Sequence, residues 1–257
     1  EGRAREQAEQ AREKLLANPG FSSAEAGPAM HPLLKFPSAI PAVFLPKSCP
    51  LGGEAIPLGD GRALCEGCLE SLDRSRPPWC PTCGKPFRSE AALSHSPDHL
   101  CSECREHPPS FEAARAFGPY EGSLRELIQL IKFRGYTSLA TELGSELSRL
   151  AREEYPEIIS SDSLITHVPI DRDRWRERGF DQAKILAQST ADHLGLAFAS
   201  TLERGASTSP QTRLPASARR KILRGVFSAP SAERVSGKNV ILVDDVLTTG
   251  STAGACS

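Results

Sequence analysis

Asp244 and Asp245 follow four consecutive apolar residues, Val240-Ile241-Leu242-Val243, and precede Val246-Leu247-Thr248-Thr249-Gly250-Ser251-Thr252. The apolar run reads as a strand buried on both faces, and the Thr/Gly/Ser run marks where the next helix begins. In such a strand, loop and helix turn, the backbone N–H groups of Thr249 to Thr252 converge on one phosphate. The hydroxyls of Thr248, Thr249, Ser251 and Thr252 and the positive end of the helix dipole help, and Gly250 permits close approach. The two carboxylates then face the rest of that ligand, where they suit sugar hydroxyls or a hydrated Mg²⁺. Helix capping alone accounts for one hydroxyl, not for two adjacent acids followed by a phosphate-compatible run.

A second chemistry lies upstream. Seven of the eight cysteines fall between positions 49 and 104, and three pairs are spaced Cys-x-x-Cys: Cys65/Cys68, Cys80/Cys83 and Cys101/Cys104. This spacing brings two thiolates onto one metal. Cys80, Cys83, Cys101 and Cys104, with seventeen residues between the pairs, match a tetrahedral four-cysteine zinc site. Gly84 favours the tight knuckle turn. Four thiolates leave no open position, so the zinc is structural, and disulfides are the competing account. The other half-site is damaged: Cys49-Pro50-Leu51-Gly52 has a glycine where a second cysteine would stand. Cys49, Cys65 and Cys68 remain as three ligands, so either an outside ligand completes the site or it is empty. His95 and His99, in the loop between Cys83 and Cys101, can substitute for the missing ligand but read first as solvated loop residues, and Cys256 reads as a small buried packing residue.

Cationic candidates come from two stretches. Arg174, Arg176 and Arg178 lie in a polar loop after the strand candidate Ser163–Ile170, where they can grip pyrophosphate or be neutralised by interleaved acids. Arg219 and Arg220 belong to a segment, 204–232, with no Asp or Glu. That segment reads as a mobile cationic loop able to close over pyrophosphate or lie along a nucleic-acid backbone. His167, inside the strand, reads as a satisfied core histidine.

The elements that must position these groups follow from periodicity. Leu124, Leu127, Ile128 and Ile131 stripe one helix that ends at Lys132-Phe133-Arg134-Gly135, and Leu139, Leu143, Leu147 and Leu150 stripe a second. Lys132 and Arg134 suit either the helix dipole or a phosphate. Ala113 to Tyr120 reads as a short strand, and a further helix runs from about Asp181 to Leu194. Strand, polar loop and helix recur as a doubly wound parallel sheet requires. Residues 1–30 form a charged, loosely helical or disordered extension, 31–107 an apolar linker with a cysteine-rich module, and 108–257 an α/β domain lacking its C-terminal part. Hydrophobic content of 39%, charged content of 25% and a net charge of -1 describe a globular protein with no global pull toward nucleic acid or membrane. No signal peptide or membrane span is legible, which places the protein in the cytoplasm.

The VILVDDVLTTGST stretch resembles the phosphoribosyl pyrophosphate (PRPP) loop of type I phosphoribosyltransferases. That resemblance implies a doubly wound sheet of this type, Asp244 and Asp245 on the ribose hydroxyls, Thr248 through Thr252 on the 5′-phosphate, and Mg²⁺ bound with PRPP. Taken together, the Cys-x-x-Cys knuckles, YEGSLRELIQLIKFRG, VPIDRDRWRERGFDQA and SPQTRLPASARRKILRGVF resemble the ComF family of competence-associated, double-zinc-ribbon phosphoribosyltransferase homologues. The resemblance covers about residue 31 onward. It implies phosphoribosyl transfer to an unknown acceptor with release of pyrophosphate. The alternative it implies is a non-catalytic adaptor in DNA uptake, binding single-stranded DNA or a competence helicase. Two residues depart from the pattern: Gly52 in the first knuckle, and Asp181 where the family usually has Asn.

Overall fold

Apolar residues at helical spacing build the frame. In the computed structural model, which describes residues 47–57, 61–87, 96, 98–205 and 225–257, the first stripe becomes α3 (Gly122–Arg134), with Leu124, Leu127, Ile128 and Ile131 buried. The second becomes α4 (Thr137–Glu154), which buries Leu139, Ala140 and Leu143 and leaves Leu147 and Leu150 half-buried. α4 packs on α6 (Gln182–Leu194) at close range: a Cβ on Gly144 would lie 2.5 Å from Ser189 Cβ. Ser189 Oγ donates to the Thr141 carbonyl at 2.7 Å, so the helix pair is locked by polar as well as apolar contact.

Three strands form a parallel sheet in the order β4 (Ala197–Phe198), β3 (Ser163–His167), β7 (Asn239–Val243). β3 is buried along its whole length. β7 is not buried on both faces as its apolar run suggests: Val240 is 43% exposed, because β7 pairs with β3 on one side and, among the described residues, with no strand on the other. Two other local readings also change. Residues 113–120 form no strand. Their backbone bonds go to the cysteine segment instead, Ala114 N to Thr82 O at 2.7 Å and Ser75 N to Phe117 O at 2.8 Å. The arginine-rich stretch is not a loop but helix α5 (Arg172–Arg178), capped by the Asp171 carboxylate, which accepts from Asp173 N, and ended by Gly179 in the left-handed region.

Upstream, β1 (Lys47–Ser48) and β2 (Ala55–Ile56) form a short antiparallel pair, and α1 (Glu66–Glu70) and α2 (Ser102–Glu106) begin just after Cys65 and Cys101 and carry Cys68 and Cys104. Cys49, Ile56, Leu64, Cys65 and Leu72 belong to one buried cluster with the apolar faces of α3, α4 and α6. Cys80, Cys101 and Cys104 form a separate small core with Cys83, Phe87 and Leu100 packed against it. An antiparallel pair, β5 (Glu203–Arg204) and β6 (Phe227–Ser228), flanks the segment holding Arg219 and Arg220. That segment lies outside the described residues, as do the N-terminal extension and the apolar run before Lys47.

Candidate ligand site and metal centres

The register of the sheet brings two distant motifs together. His167 pairs with Val243, and Val168 N donates to Val243 O at 3.0 Å, so the segment leading into α5 leaves the sheet beside Asp244. The C-terminal edge of parallel strands is where open α/β sheets place ligands. Asp245 is clamped there by partners from two helices: Lys132 Nζ of α3 lies 3.0 Å from its Oδ2, and Gln182 Nε2 of α6 donates to the same oxygen at 2.6 Å. Gln182 is 8% exposed, and its Oε1 is a buried acceptor with no hydrogen-bond partner. Asp244 accepts from Asp245 N at 2.8 Å. Burial, then the neighbouring Asp245 carboxylate, push Asp244 up to about 7.

Beyond the acids, Thr248 and Thr249 are exposed and Gly250, Ser251 and Thr252 are half-buried. The Thr249 and Ser251 hydroxyls lie 2.7 Å apart, and Ser251 opens α7 (Ser251–Cys256). Gly250 has φ of 70°, which a side chain rarely adopts, and its Cβ position faces the Phe111 ring at 3.4 Å. Cys256 is half-buried rather than enclosed; burial first, then Asp244, pushes its thiol up to about 12. The acid pair and residues 248–251 line a cavity of about 840 Å³ that extends to Gly84, Cys101 and Cys104. This volume suits a ligand of nucleotide size, since small-molecule pockets run roughly 300–1,000 Å³.

The arginines divide. Arg178 lies over the Phe133 ring at 5.5 Å, and its Nε and Nη1 are buried donors with no hydrogen-bond partner. Arg174 is exposed, and so is Arg176, which pairs with Asp173 of its own helix at 3.1 Å; none of Arg174, Arg176 and Arg178 lines the cavity. Arg219 and Arg220 lie outside the described residues. Arg204, read from sequence only as part of the basic segment, instead packs over Phe227 at 5.4 Å with Asp171 3.8 Å away. Burial lowers its pKa, Asp171 opposes that shift and Arg174 adds to it. Gln182 and Arg204 escaped sequence reasoning because only the folded topology sets them beside Asp245 and Asp171.

His167 is buried but not fully satisfied. Its Nε2 lies 3.4 Å from Asp181 Oδ2, while Nδ1 has no hydrogen-bond partner. Asp181 also accepts from Lys184 N and Ile170 N at 3.1 and 3.2 Å, so it caps α6 and ties the strand end to it. Burial works against its ionisation, yet these bonds hold its carboxyl below the usual range.

The cysteines fall into two groups whose Sγ atoms each lie within 4.8 Å of one another: Cys80, Cys83, Cys101 and Cys104, and Cys49, Cys65 and Cys68. Tetrahedral zinc with bonds of about 2.3 Å sets sulfurs about 3.8 Å apart. Cys83 and Cys101 Sγ stand at 3.6 Å. Burial alone raises a thiol pKa, but backbone N–H groups, among them Cys101 N at 3.5 Å, draw Cys80 down to about 7. Such N–H groups are the outer support of a metal thiolate. Both donor sets therefore fit structural zinc, the first completely and the second with three ligands.

A family profile described as a double zinc ribbon domain matches residues 40–105. The chain is 33% identical to the DNA utilization protein YhgH of Escherichia coli (strain K12), covering 77% of this chain and 84% of that protein. It is 30% identical to competence protein F of Haemophilus influenzae, covering 76% and 82% respectively. To competence protein ComFC of Bacillus subtilis it is 25% identical, covering 74% of each. No solved structure gives a significant match. Zinc-ribbon knuckles joined to a mixed α/β unit with a parallel sheet define the class. Within it, the chain belongs to the ComF family. No helix among the described residues is long and apolar enough to cross a membrane.

Proposed function

We propose that the chain binds PRPP, or a ribose 5-phosphate-type ligand, through a phosphoribosyltransferase-type site, and transfers phosphoribose to an acceptor. The observation that carries this reading is the clamped acid pair at the sheet's C-terminal edge, with the unpaired Gln182 Oε1 beside it in the cavity. Lys132 and Gln182 hold Asp245 Oδ2, which leaves the other carboxylate oxygens and Gln182 Oε1 to accept from ribose hydroxyls. The 248–252 turn takes the 5′-phosphate. Arg174, Arg176, Arg178, Arg219 and Arg220 are the candidates for the pyrophosphate, and among them Arg178 has unpartnered donors to offer. Mg²⁺ bound with PRPP would neutralise the leaving pyrophosphate, and the acid pair supplies the hard oxygen donors it favours. The protein contributes position and charge to an oxocarbenium-like transition state. A cytoplasmic setting accords with eight unpaired cysteines.

The test is incubation of the full-length protein with labelled PRPP and a panel of bases and amines, measuring pyrophosphate release. Release that depends on one acceptor supports transfer. Tight binding without turnover restricts the site to ligand binding, and absence of PRPP binding removes the reading.

A second reading, an adaptor that binds single-stranded DNA beside a helicase partner, is favoured by one feature. Trp175 is 53% exposed on α5 and shares a shallow groove with Ile170 and the exposed Arg172 and Arg176. Aromatic stacking flanked by arginines suits single strands, and the names of the relatives, DNA utilization and competence, point the same way. Trp175→Ala should then weaken single-strand binding by about 1–3 kcal/mol, and affinity should fall steeply with salt. Salt-independent or undetectable binding removes this reading.

A further inference from the structure

The chain writes one knuckle three times, at Cys65/Cys68, Cys80/Cys83 and Cys101/Cys104, and once in broken form at Cys49/Gly52. The broken copy keeps the fold of an intact one. Cys49 N donates to Glu54 O at 2.7 Å and Gly53 N to Cys49 O at 2.8 Å; in the intact copy Cys80 N donates to Lys85 O and Gly84 N to Cys80 O, both at 2.9 Å. Gly53 and Gly84 share the left-handed backbone, at φ of 73° and 70°. Gly52 is thus the structural equivalent of Cys83. Its Cβ position points at the other thiols, 2.6 Å from Cys68 Sγ and 3.8 Å from Cys65 Sγ.

We propose that Cys49, Cys65 and Cys68 form a three-thiolate metal site whose fourth position, on the Gly52 side, takes an exchangeable monodentate donor from solution, whereas the site at 80–104 is closed. In the intact copy the residue equivalent to Gly52 is Cys83, so the donor missing from a tetrahedral set is the one that position would have carried. Cys49 and Cys65 are buried, but Cys68 is half-buried, which gives a small ligand its approach. Gly52 N, 3.5 Å from Cys49 Sγ, supports the first thiolate. Among the described residues no carboxylate or imidazole joins the three. Asp60 and His95 lie outside them and are excluded by substitution.

The test uses the full chain loaded with cobalt(II) as a spectroscopic stand-in for zinc. Two equivalents should bind, and a chelator should remove them in two phases at least about tenfold apart in chelator concentration, the scale on which even outer-shell changes alter metal affinity. Only the weaker ion should change its visible spectrum when 2-mercaptoethanol or imidazole is titrated in. Gly52→Cys should merge the two phases and abolish the spectral response, since the backbone there is ordinary and the intact copy holds Cys83 on the same turn. Gly52→Ala, with the same Cβ and no sulfur, should keep two phases. Should Gly52→Cys not fold, the wild-type titration together with Asp60→Asn and His95→Asn decides the matter. Uptake of one equivalent, simultaneous release of two, or a spectrum indifferent to added ligands overturns the proposal. So does an Asp60→Asn or His95→Asn variant that alters the weaker ion's spectrum in the absence of added ligand, because the fourth donor would then belong to the chain.

Discussion

The four-cysteine cluster and the Asp244/Asp245 pair both crowd anionic groups into the interior, and they balance that charge differently. Cys80, Cys83, Cys101 and Cys104 find backbone N–H groups and one another, with burial raising Cys104, so the balancing cation has to be a bound metal. The acid pair brings its own cation and amide, Lys132 and Gln182. The first region is therefore a folded unit only with its ion, while the second is preformed and can wait for a ligand. What is left unbalanced in the second is Asp244, and that residue carries the site's remaining demand for a cation or a proton.

The largest effect should come from taking the metal away. Structural zinc contributes about 10–16 kcal/mol in small peptides, so Cys83→Ser should unfold residues 80–104. The core of α3, α4 and α6 should persist, because the Cys80 cluster is separate from it. Hydrogen exchange should show protection lost in the first region and kept in the second; one cooperative loss of both would erase the contrast. Next in size is Lys132→Met. It strands a largely buried carboxylate, which costs about 3–5 kcal/mol when such a pair is broken, and urea titration should show that loss with zinc content unchanged.

Gln182→Leu removes one hydrogen bond to a charged group and should cost about 1.5–3 kcal/mol, again at constant zinc content. The smallest effect is on how ligand binding varies with pH. Asp244 titrates near 7 when folded, against an ordinary value near 4. Its contribution to stability is therefore full below about pH 4 and lost as pH rises through 7. Mg²⁺-PRPP binding runs the other way: it should strengthen about tenfold from pH 6 to pH 8 as Asp244 ionises, and Asp244→Asn should flatten the curve. An unchanged slope in that variant would show that Asp244 is not the titrating group.

The two regions also differ in how far the chain betrays them. Cysteine spacing is local, so Cys80, Cys83, Cys101 and Cys104 could be grouped without any knowledge of the fold. The stripes of α3 and α4 were equally plain, because leucine and isoleucine repeats at helical spacing have one buried solution. The partners of Asp245 were hidden: Lys132 ends a helix where any cation suits the dipole, and Gln182 opens one where polar residues are ordinary. Charge density misled at 171–178, where interleaved acids and arginines looked like a loop. The Asp171 cap and Gly179 stop were both present and mark it as helical. Burial of β7 was overread because an apolar run does not say how many neighbours its strand has.

Asp244 and Asp245 are proposed to hold a ribose whose phosphate lies on the 248–252 turn, which titration calorimetry on the full-length protein can decide. Asp244→Asn with Asp245→Asn removes charge-assisted hydrogen bonds worth about 1.5–3 kcal/mol each. The double variant should therefore bind Mg²⁺-PRPP at least about 100-fold more weakly while keeping its affinity for inorganic phosphate. Gly250→Val, which forces a branched side chain into the left-handed region against Phe111, should abolish both. A double variant that binds PRPP as tightly as the unmodified chain would contradict the account.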